Sequence, residues 1–228
     1  MQHLTPRYCW TVMETYHDSL DIITRYFPQI TPEQTEAYRA LEALYLDWNS
    51  KINVISRADT SNLYTRHVLH SLAIAAMLGE LEDGVKIMDL GTGGGFPGIP
   101  LAIFYPHCRF HLIDRIGKKI KVASDIASKI GLENVTFQHG DSGECHDKFS
   151  YVVSRAVMPL DALVKACSKN ISHSPTRPGA YAPGLVCLKG GDLSEEIEST
   201  GRTVVDIPVT DFFNEPFFKT KQIIYVPL

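Results

Sequence analysis

No two cysteines in this chain stand at a redox or metal-binding spacing. The five present, Cys9, Cys108, Cys145, Cys167 and Cys187, are odd in number and widely spread, which argues against a disulfide framework and against a zinc knuckle. There is no apolar run long enough to span a bilayer and no secretory leader, so no membrane partner is expected and the chain reads as cytoplasmic. Charge of one sign is not in excess either. A net charge of −4 is no global nucleic-acid signature, so any such partner has to be met by a local basic patch. His67 and His70 share a helical face, but no carboxylate or cysteine accompanies them, and no metal is expected. What the chain does have, 228 residues with 44% apolar and 21% charged, suffices for one α/β domain with a full core and an accessory piece.

The organising stretch is residues 86–98, Lys-Ile-Met-Asp-Leu-Gly-Thr-Gly-Gly-Gly-Phe-Pro-Gly. Ile87, Met88 and Leu90 predict a buried parallel strand with Asp89 as its one internal charge. Strand, glycine turn and helix together bring bare backbone against a nucleotide-like ligand. Two registers compete. Gly93, Gly95 and Gly98 satisfy the dinucleotide fingerprint, which sets a pyrophosphate on the next helix N-terminus. Asp89, Gly91, Gly93 and Gly95 satisfy D-x-G-x-G-x-G, which resembles the first motif of S-adenosylmethionine-dependent methyltransferases. That ligand carries an amino group and a sulfonium, so an acid just before the turn suits it.

Three features favour the second register. The strand leads into Gly91, not Gly93. Pro97 suits the first turn of a helix beginning near Phe96, where no amide bond is lost. The next strand, Arg109 to Ile113, ends in Asp114, whose carboxylate can accept from both hydroxyls of a ribose, a group either cofactor carries.

The first 84 residues read as a helical region and residues 85–228 as the cofactor-binding domain. Met13, Tyr16, Leu20, Ile23 and Phe27 fall at helical spacing up to Pro28. Thr31-Pro32-Glu33-Gln34 is a capping box opening a second helix, whose face is Ala37, Tyr38, Leu41, Leu44, Tyr45 and Trp48. Residues 48–56 look too polar to continue it, with Asn49 and Asn53 tying a loop. A third helix is expected from about Asp59 to Leu78.

From Val85 on, strand and helix alternate, the signature of a parallel sheet. Arg115, Lys118, Lys119 and Lys121 lie at the start of a helix with Ile120, Ala123, Ile126, Ala127 and Ile130 inward and Gly131 at its end. These cations are either a phosphate-contacting patch or a solvated face. Asn134 to Gln138 is the third strand, leading to Asp141-Ser142, well placed for an adenine edge. Tyr151 to Ser154 is the fourth, followed by Arg155-Ala156-Val157 and a helix bearing Leu160, Leu163, Val164 and Cys167. After a loop over 172–184, Leu185 to Leu188 is the fifth, with Lys189 at its end. Asp192 and Glu195 then read as a capping pair. Thr203–Val209 and Gln222–Val226 are the last two strands, expected antiparallel, which completes a seven-stranded, mostly parallel, Rossmann-like sheet.

The strand ends offer Asp89, Asp114, Asp141, Ser142, Arg155 and Lys189. They do not offer a polar residue before two prolines after the fourth strand, the device for exocyclic amines. Nor do they offer a cysteine near a proline for pyrimidine carbons, or a Lys-Asp-Lys-Glu set for sugar hydroxyls. What remains is an acceptor needing no deprotonation, such as guanine N7, for which positioning and electrostatics outweigh a general base. Arg155 and Lys189 are the candidate catalytic residues, acting as clamps on phosphate or guanine O6, since their pKa values disfavour a role as bases. A structural ion pair is the competing reading for Arg155.

Together these residues resemble the bacterial 16S rRNA guanine-N7 methyltransferases of the glucose-inhibited-division protein B family. The matching stretches are Trp48-Asn49 with Ile52-Asn53, Arg66 to Leu69 with Ser71-Leu72, Asp89 to Pro100, Leu112 to Asp114 with Gly117-Lys118-Lys119, Ser154-Arg155-Ala156, and Leu188-Lys189-Gly190. The resemblance implies a class I methyltransferase fold, S-adenosylmethionine as donor, and a guanosine of 16S rRNA in the small ribosomal subunit as acceptor. It further implies cofactor contacts at Gly91, Phe96, Asp141, Ser142 and Arg155, with Asp114 at the ribose. The chain departs from the family at His70, usually an aspartate, and around Asp141-Ser142, usually two acids or an apolar–acid pair. An NAD(P)-binding oxidoreductase and a non-catalytic, cofactor-binding RNA module are the rival readings.

Overall fold

The structure is a computed structural model that describes residues 18–56, 59–155, 158–173 and 179–228. Met13 and Tyr16 of the expected first helix, Cys9, Ala156 and Val157 beyond the fourth strand, and the centre of the 172–184 loop lie outside the described residues. Within them the chain runs α1 (Asp21–Tyr26), α2 (Pro32–Lys51), α3 (His70–Leu78), β1 (Lys86–Leu90), α4 (Gly98–Phe104), β2 (Arg109–Asp114), α5 (Gly117–Lys129), β3 (Val135–His139), β4 (Tyr151–Arg155), α6 (Leu160–Cys167), β5 (Gly184–Gly190), α7 (Ser194–Ser199), β6 (Val205–Pro208) and β7 (Lys221–Pro227).

Seven strands form one sheet in the order β3-β2-β1-β4-β5-β7-β6. Strands β1 to β5 pair in parallel, whereas β7 runs antiparallel to both β5 and β6. The expected single reversal is thus β7, slotted between its neighbours. The order turns back at β1 and β4, and the crevice beyond their carboxyl ends is where such a sheet receives ligands.

Alternation along the strands divides the core. Ile87, Phe110, Leu112, Tyr151, Val153, Val186, Leu188, Ile223 and Tyr225 face one side, where they meet Ile23, Tyr38, Leu72, Leu101 and Ile126 from α1 to α5. Met88, Ile113, Val152, Leu185, Cys187 and Ile224 face the other, under Leu160, Leu163 and Cys167 of α6. The N-terminal helices therefore share a core with the sheet.

Local chemistry sets the boundaries. Thr31 and Gln34 close the capping box reciprocally around Pro32, as the spacing predicts. The second helix, however, does not stop before residue 48; it runs to Lys51. Asn49 supplies the reason. Its Oδ1 accepts from the Val54 and Ile55 amides at 2.8 and 2.9 Å and its Nδ2 donates to the Ile55 carbonyl at 2.9 Å, so one polar side chain ties the loop while remaining helical itself. Trp48 Nε1 meets Asp125 Oδ2 at 2.7 Å, fastening α2 to α5. The expected third helix is helical from Thr60, but as a short 3₁₀ turn and then a π-helical segment, Tyr64–Leu69, before α3. Helix α4 starts at Gly98, so Pro97 occupies the N-cap and Pro100 the first turn. Helix α7 starts at Ser194, where Asp192 bonds both the amide and the hydroxyl of that residue; Glu195 does not reciprocate.

Candidate functional site

The glycine turn is built on hydrogen bonds to its neighbouring strand. The Gly91 and Thr92 amides donate to the Ile113 carbonyl at 2.9 and 3.1 Å, bending the chain off the end of β1. Gly95, at φ 107°, could carry no side chain: a Cβ there would lie 2.4 Å from Ile99 Cδ1. Against the outer side of the turn, Tyr45 donates its hydroxyl to the Gly94 carbonyl at 2.8 Å.

Asp89 is wholly buried. Its Oδ2 accepts from the Thr92 hydroxyl at 2.6 Å and from the Gly98 amide at 2.7 Å, while its Oδ1 has no hydrogen-bond partner. Burial raises its pKa to about 7, against the opposing pull of those two donors and of Arg155. The carboxylate therefore sits on the N-terminus of α4, in the place that the dinucleotide register reserves for a pyrophosphate. It shapes the turn from behind and does not line the open crevice.

Asp114, half-buried, does line it. Its Oδ2 accepts from the Gly93 amide and its Oδ1 from the Ile116 amide, both at 2.8 Å. Each carboxylate oxygen retains a lone pair for a hydroxyl donor. Around it lies a cleft of about 770 Å³ to which Gly91, Asp114, Asp141 and Ser142 contribute together with the apolar Ile113, Ile116, Met158 and Ala162. Asp141 caps the turn after β3, accepting from the Gly143 amide at 2.7 Å and pairing with Arg115, and these donors hold its pKa below the usual carboxylate range. Arg115 and Lys119 reach the rim of the cleft, whereas Lys118 and Lys121 are solvated.

The cleft suits a nucleoside better than a dinucleotide. Apolar walls, a side-chain-free Gly91 lip and two carboxylates match an adenine and a ribose. Asp89 already takes the Gly98 amide at the start of α4, the donor that a pyrophosphate would need. Gly93, Gly95, Phe96, Arg155 and Lys189 are not among the residues lining it.

Phe96 and Arg155 form a second group on the face of α2 and α3. The Phe96 ring stacks on Tyr45, with centroids 4.7 Å apart and planes 28° apart, and the Arg155 guanidinium lies 5.0 Å from its centroid. Arg155 donates to His67 Nδ1 at 3.1 Å, which puts the imidazole proton on Nε2, a buried atom with no partner. Burial and the Arg155 charge pull the His67 pKa down to about 3, so this histidine is neutral in all ordinary conditions. Burial lowers the Arg155 pKa to about 10, which still leaves it charged at neutral pH. The sequence offers Tyr45 only as part of a core-facing stripe and His67 only as a histidine without metal partners; their contacts with Gly94 and Arg155 come from the fold.

Lys189 lies elsewhere. Its Nζ donates to the Met158 carbonyl at 2.9 Å and pairs with Glu196 at 2.6 Å, and Glu196 also accepts from the Leu160 amide at 2.9 Å. It pins the end of β5 to the start of α6 and to α7. His70, at the departure from the family pattern, packs edge-on to Phe217. No group of three metal-ligating side chains exists among the described residues, and no described helix is long and apolar enough to cross a membrane.

Residues 34–206 match the GidB family, described as rRNA small subunit methyltransferase G. Ribosomal RNA small subunit methyltransferase G of Bacteroides thetaiotaomicron is 52% identical over 206 residues, covering 90% of this chain and 98% of its own length. The protein of the same name from Parabacteroides distasonis is 53% identical over 212 residues, covering 93% and 91%. Among solved structures, a mutant of MtNAS in complex with S-adenosylmethionine superposes with a TM-score of 0.56 at 14% identity, over 92% of this chain and 78% of the other, a likeness of fold. On sequence and on the span of the match, this chain belongs to the GidB family of small-subunit rRNA methyltransferases.

Proposed function

We propose that this methyltransferase transfers a methyl group from S-adenosylmethionine to N7 of a guanosine in 16S rRNA of the small ribosomal subunit, and that it works in the cytoplasm alongside that particle. One observation carries the choice of donor: the buried Asp89 carboxylate occupies the N-terminus of α4, so the adjoining cleft accepts a nucleoside whose reactive end is not a phosphate. When bound, S-adenosylmethionine supplies an electrophilic methyl on a sulfonium.

The residues divide the remaining work. Asp114 holds the ribose hydroxyls. Ser142 and the Asp141 backbone meet the adenine edge. Gly91 gives the ligand bare main chain, with Asp89, Gly93 and Gly95 setting the shape of that turn. Arg155, at the end of β4 beside the turn, orients the guanine, and the buried Phe96 ring fixes its guanidinium. Guanine N7 offers an in-plane lone pair at neutral pH, so no base is required and orientation with electrostatic support suffices. Arg155 is charged and held in place by a neutral ring and a neutral imidazole, which suits it to clamp O6 or a phosphate. Lys189, tied to Glu196, acts as a positioning residue for β5 and α6, not as a clamp.

Tritiated S-adenosylmethionine incubated with 30S subunits tests this reading. The expected product is N7-methylguanosine at one position of 16S rRNA, and calorimetry is expected to detect S-adenosylmethionine but not NADH. Label on another atom, or binding of the dinucleotide alone, overturns it. Cofactor binding without any label transfer would leave the non-catalytic RNA module.

A further inference from the structure

Two cations on one face of the sheet, Arg155 at the carboxyl end of β4 and Lys221 at the amino end of the antiparallel β7, rest against rings. Arg155 rests over Phe96. On the same face of the sheet, Lys221 Nζ lies 5.1 Å from the Phe217 centroid and the Arg66 guanidinium 5.4 Å from it. Among the described residues no carboxylate pairs with Lys221 or Arg155, and Arg66 alone of the three has one, Asp59. Gly190 gives Lys221 its berth: a Cβ there would come 3.2 Å from Nζ.

His70 stands between the two groups. It is 6% exposed, edge-on to Phe217 with centroids 5.6 Å apart, and its ring bonds the Arg66 carbonyl. Its Nε2 is buried with no partner. The charges of Arg155 and Lys221 both act on it and, with burial, keep it neutral. Beside Phe217 opens a hollow of about 460 Å³ bordered by Arg25, Asn62, Thr65, Arg66 and one acid, Glu215, which accepts from the Tyr26 hydroxyl.

An ion pair cancels the charge it fixes in place. A π-face fixes a cation at about 0.5–2 kcal/mol without cancelling it, so Lys221 and Arg155 keep their charge for a polyanion, while Arg66 shares its own with Asp59. With a net charge of −4, the chain needs such local positive ground to meet RNA.

We infer that Phe217, Arg66 and Lys221 form a phosphate-holding platform for the single-stranded rRNA that flanks the target guanosine, on the same face of the sheet as Arg155. This rests on the proposed function and extends it from the methylated base to the strand that carries it. Bases that undergo chemistry are presented out of their stack, and the adjoining backbone then needs a fixed electrostatic track.

The test is binding of 30S subunits by the intact protein over a range of salt concentrations. Lys221→Gln is expected to weaken binding several-fold at 0.1 M salt and to lower the slope of log K against log salt by about 0.7, one single-strand phosphate. Phe217→Leu, which keeps both charges, is expected to raise KM for 30S several-fold with kcat unchanged. S-adenosylmethionine affinity should stay at the wild-type value in both, which also reports that they fold. An unchanged slope in Lys221→Gln together with an unchanged KM in Phe217→Leu overturns the platform. Methyl transfer by the wild-type protein, scored in the same assay, reports separately on the function, so each can fail alone.

Discussion

Arg155 and Lys189 end neighbouring parallel strands and project from opposite faces of the sheet. Arg155 pairs in register with Leu188 and follows Tyr151 and Val153, which face α2 and α3. Lys189 follows Leu185 and Cys187, which face α6. Two cations that adjoin in a list of strand ends are thus separated by the thickness of the sheet, and their environments differ as sharply. One is held by neutral groups beside the glycine turn, the other by a carboxylate beneath a helix.

The two should therefore fail differently. Lys189→Met removes both bonds that fix α6 and α7 to β5 and leaves Glu196 short of a donor, so urea unfolding is expected to show a loss of about 2–3 kcal/mol. Methyl transfer per folded molecule should change less than about threefold. Arg155→Gln should cut kcat about 100-fold with little change in the unfolding midpoint, since the group acts on charge near the reacting base. A catalytic loss in the lysine variant with stability intact would exchange the two assignments.

Asp114 holds the turn and, on the proposed reading, the ribose. Asp114→Ala is expected to weaken S-adenosylmethionine binding about 10- to 100-fold by calorimetry, the effect of losing a charged hydrogen-bond acceptor. Asp114→Asn should fall between, because one oxygen remains to accept. Affinity equal to wild type in the alanine variant removes the ribose contact.

What could be read from the sequence is what depends on near neighbours along the chain. The Thr31–Gln34 capping box, the inward stripe of α6 and the strand-end position of Asp114 each follow from spacing of a few residues. What could not be read depends on distant segments meeting. The Tyr45 hydroxyl reaches a carbonyl 49 residues away, and Arg155 finds His67 across 88. The strand ends offer Lys189 as a cation without a partner, and only the fold of α7 brings Glu196 against it. The π-helical turn over Tyr64–Leu69 has no local signature, and it carries the residues, Arg66 and His67, whose phase decides what Arg155 touches. Asn49 shows the converse: it ties the loop as its residue type suggests, but from within the last turn of α2 and not from the loop itself.

Asp89 predicts a pH dependence. Its folded pKa, about 7, lies above the unfolded value of about 3.9, so the folded state binds the proton more tightly. The stability linked to it is fully present below about pH 4, declines as pH rises toward 7 and is lost above it. Asp89→Asn imitates the protonated acid and should not titrate. The difference in unfolding free energy, wild type minus variant, is expected to fall by a few kcal/mol between pH 5 and pH 8. A difference independent of pH would mean that Asp89 is ionised throughout, with Arg155 compensating for its burial.

Gly98 separates close packing from backbone freedom at the same turn. A Cβ at position 98 would lie 2.6 Å from Asp89 Oδ2 and 2.8 Å from Leu112 Cδ1. Asp89 and Leu112 are both fully buried, so neither has space into which to retreat. Gly98→Ala should therefore cost about 2–3 kcal/mol by urea unfolding and weaken S-adenosylmethionine binding as well, because the displaced carboxylate no longer anchors the turn. Gly93 presents the opposite case. A Cβ there meets nothing within 4 Å, but φ is +58°, so Gly93→Ala should cost only the left-handed penalty of about 1–2 kcal/mol. If Gly98→Ala proves as stable as wild type, α4 can slide along the sheet, and the buried carboxylate does not hold the helix terminus against a phosphate.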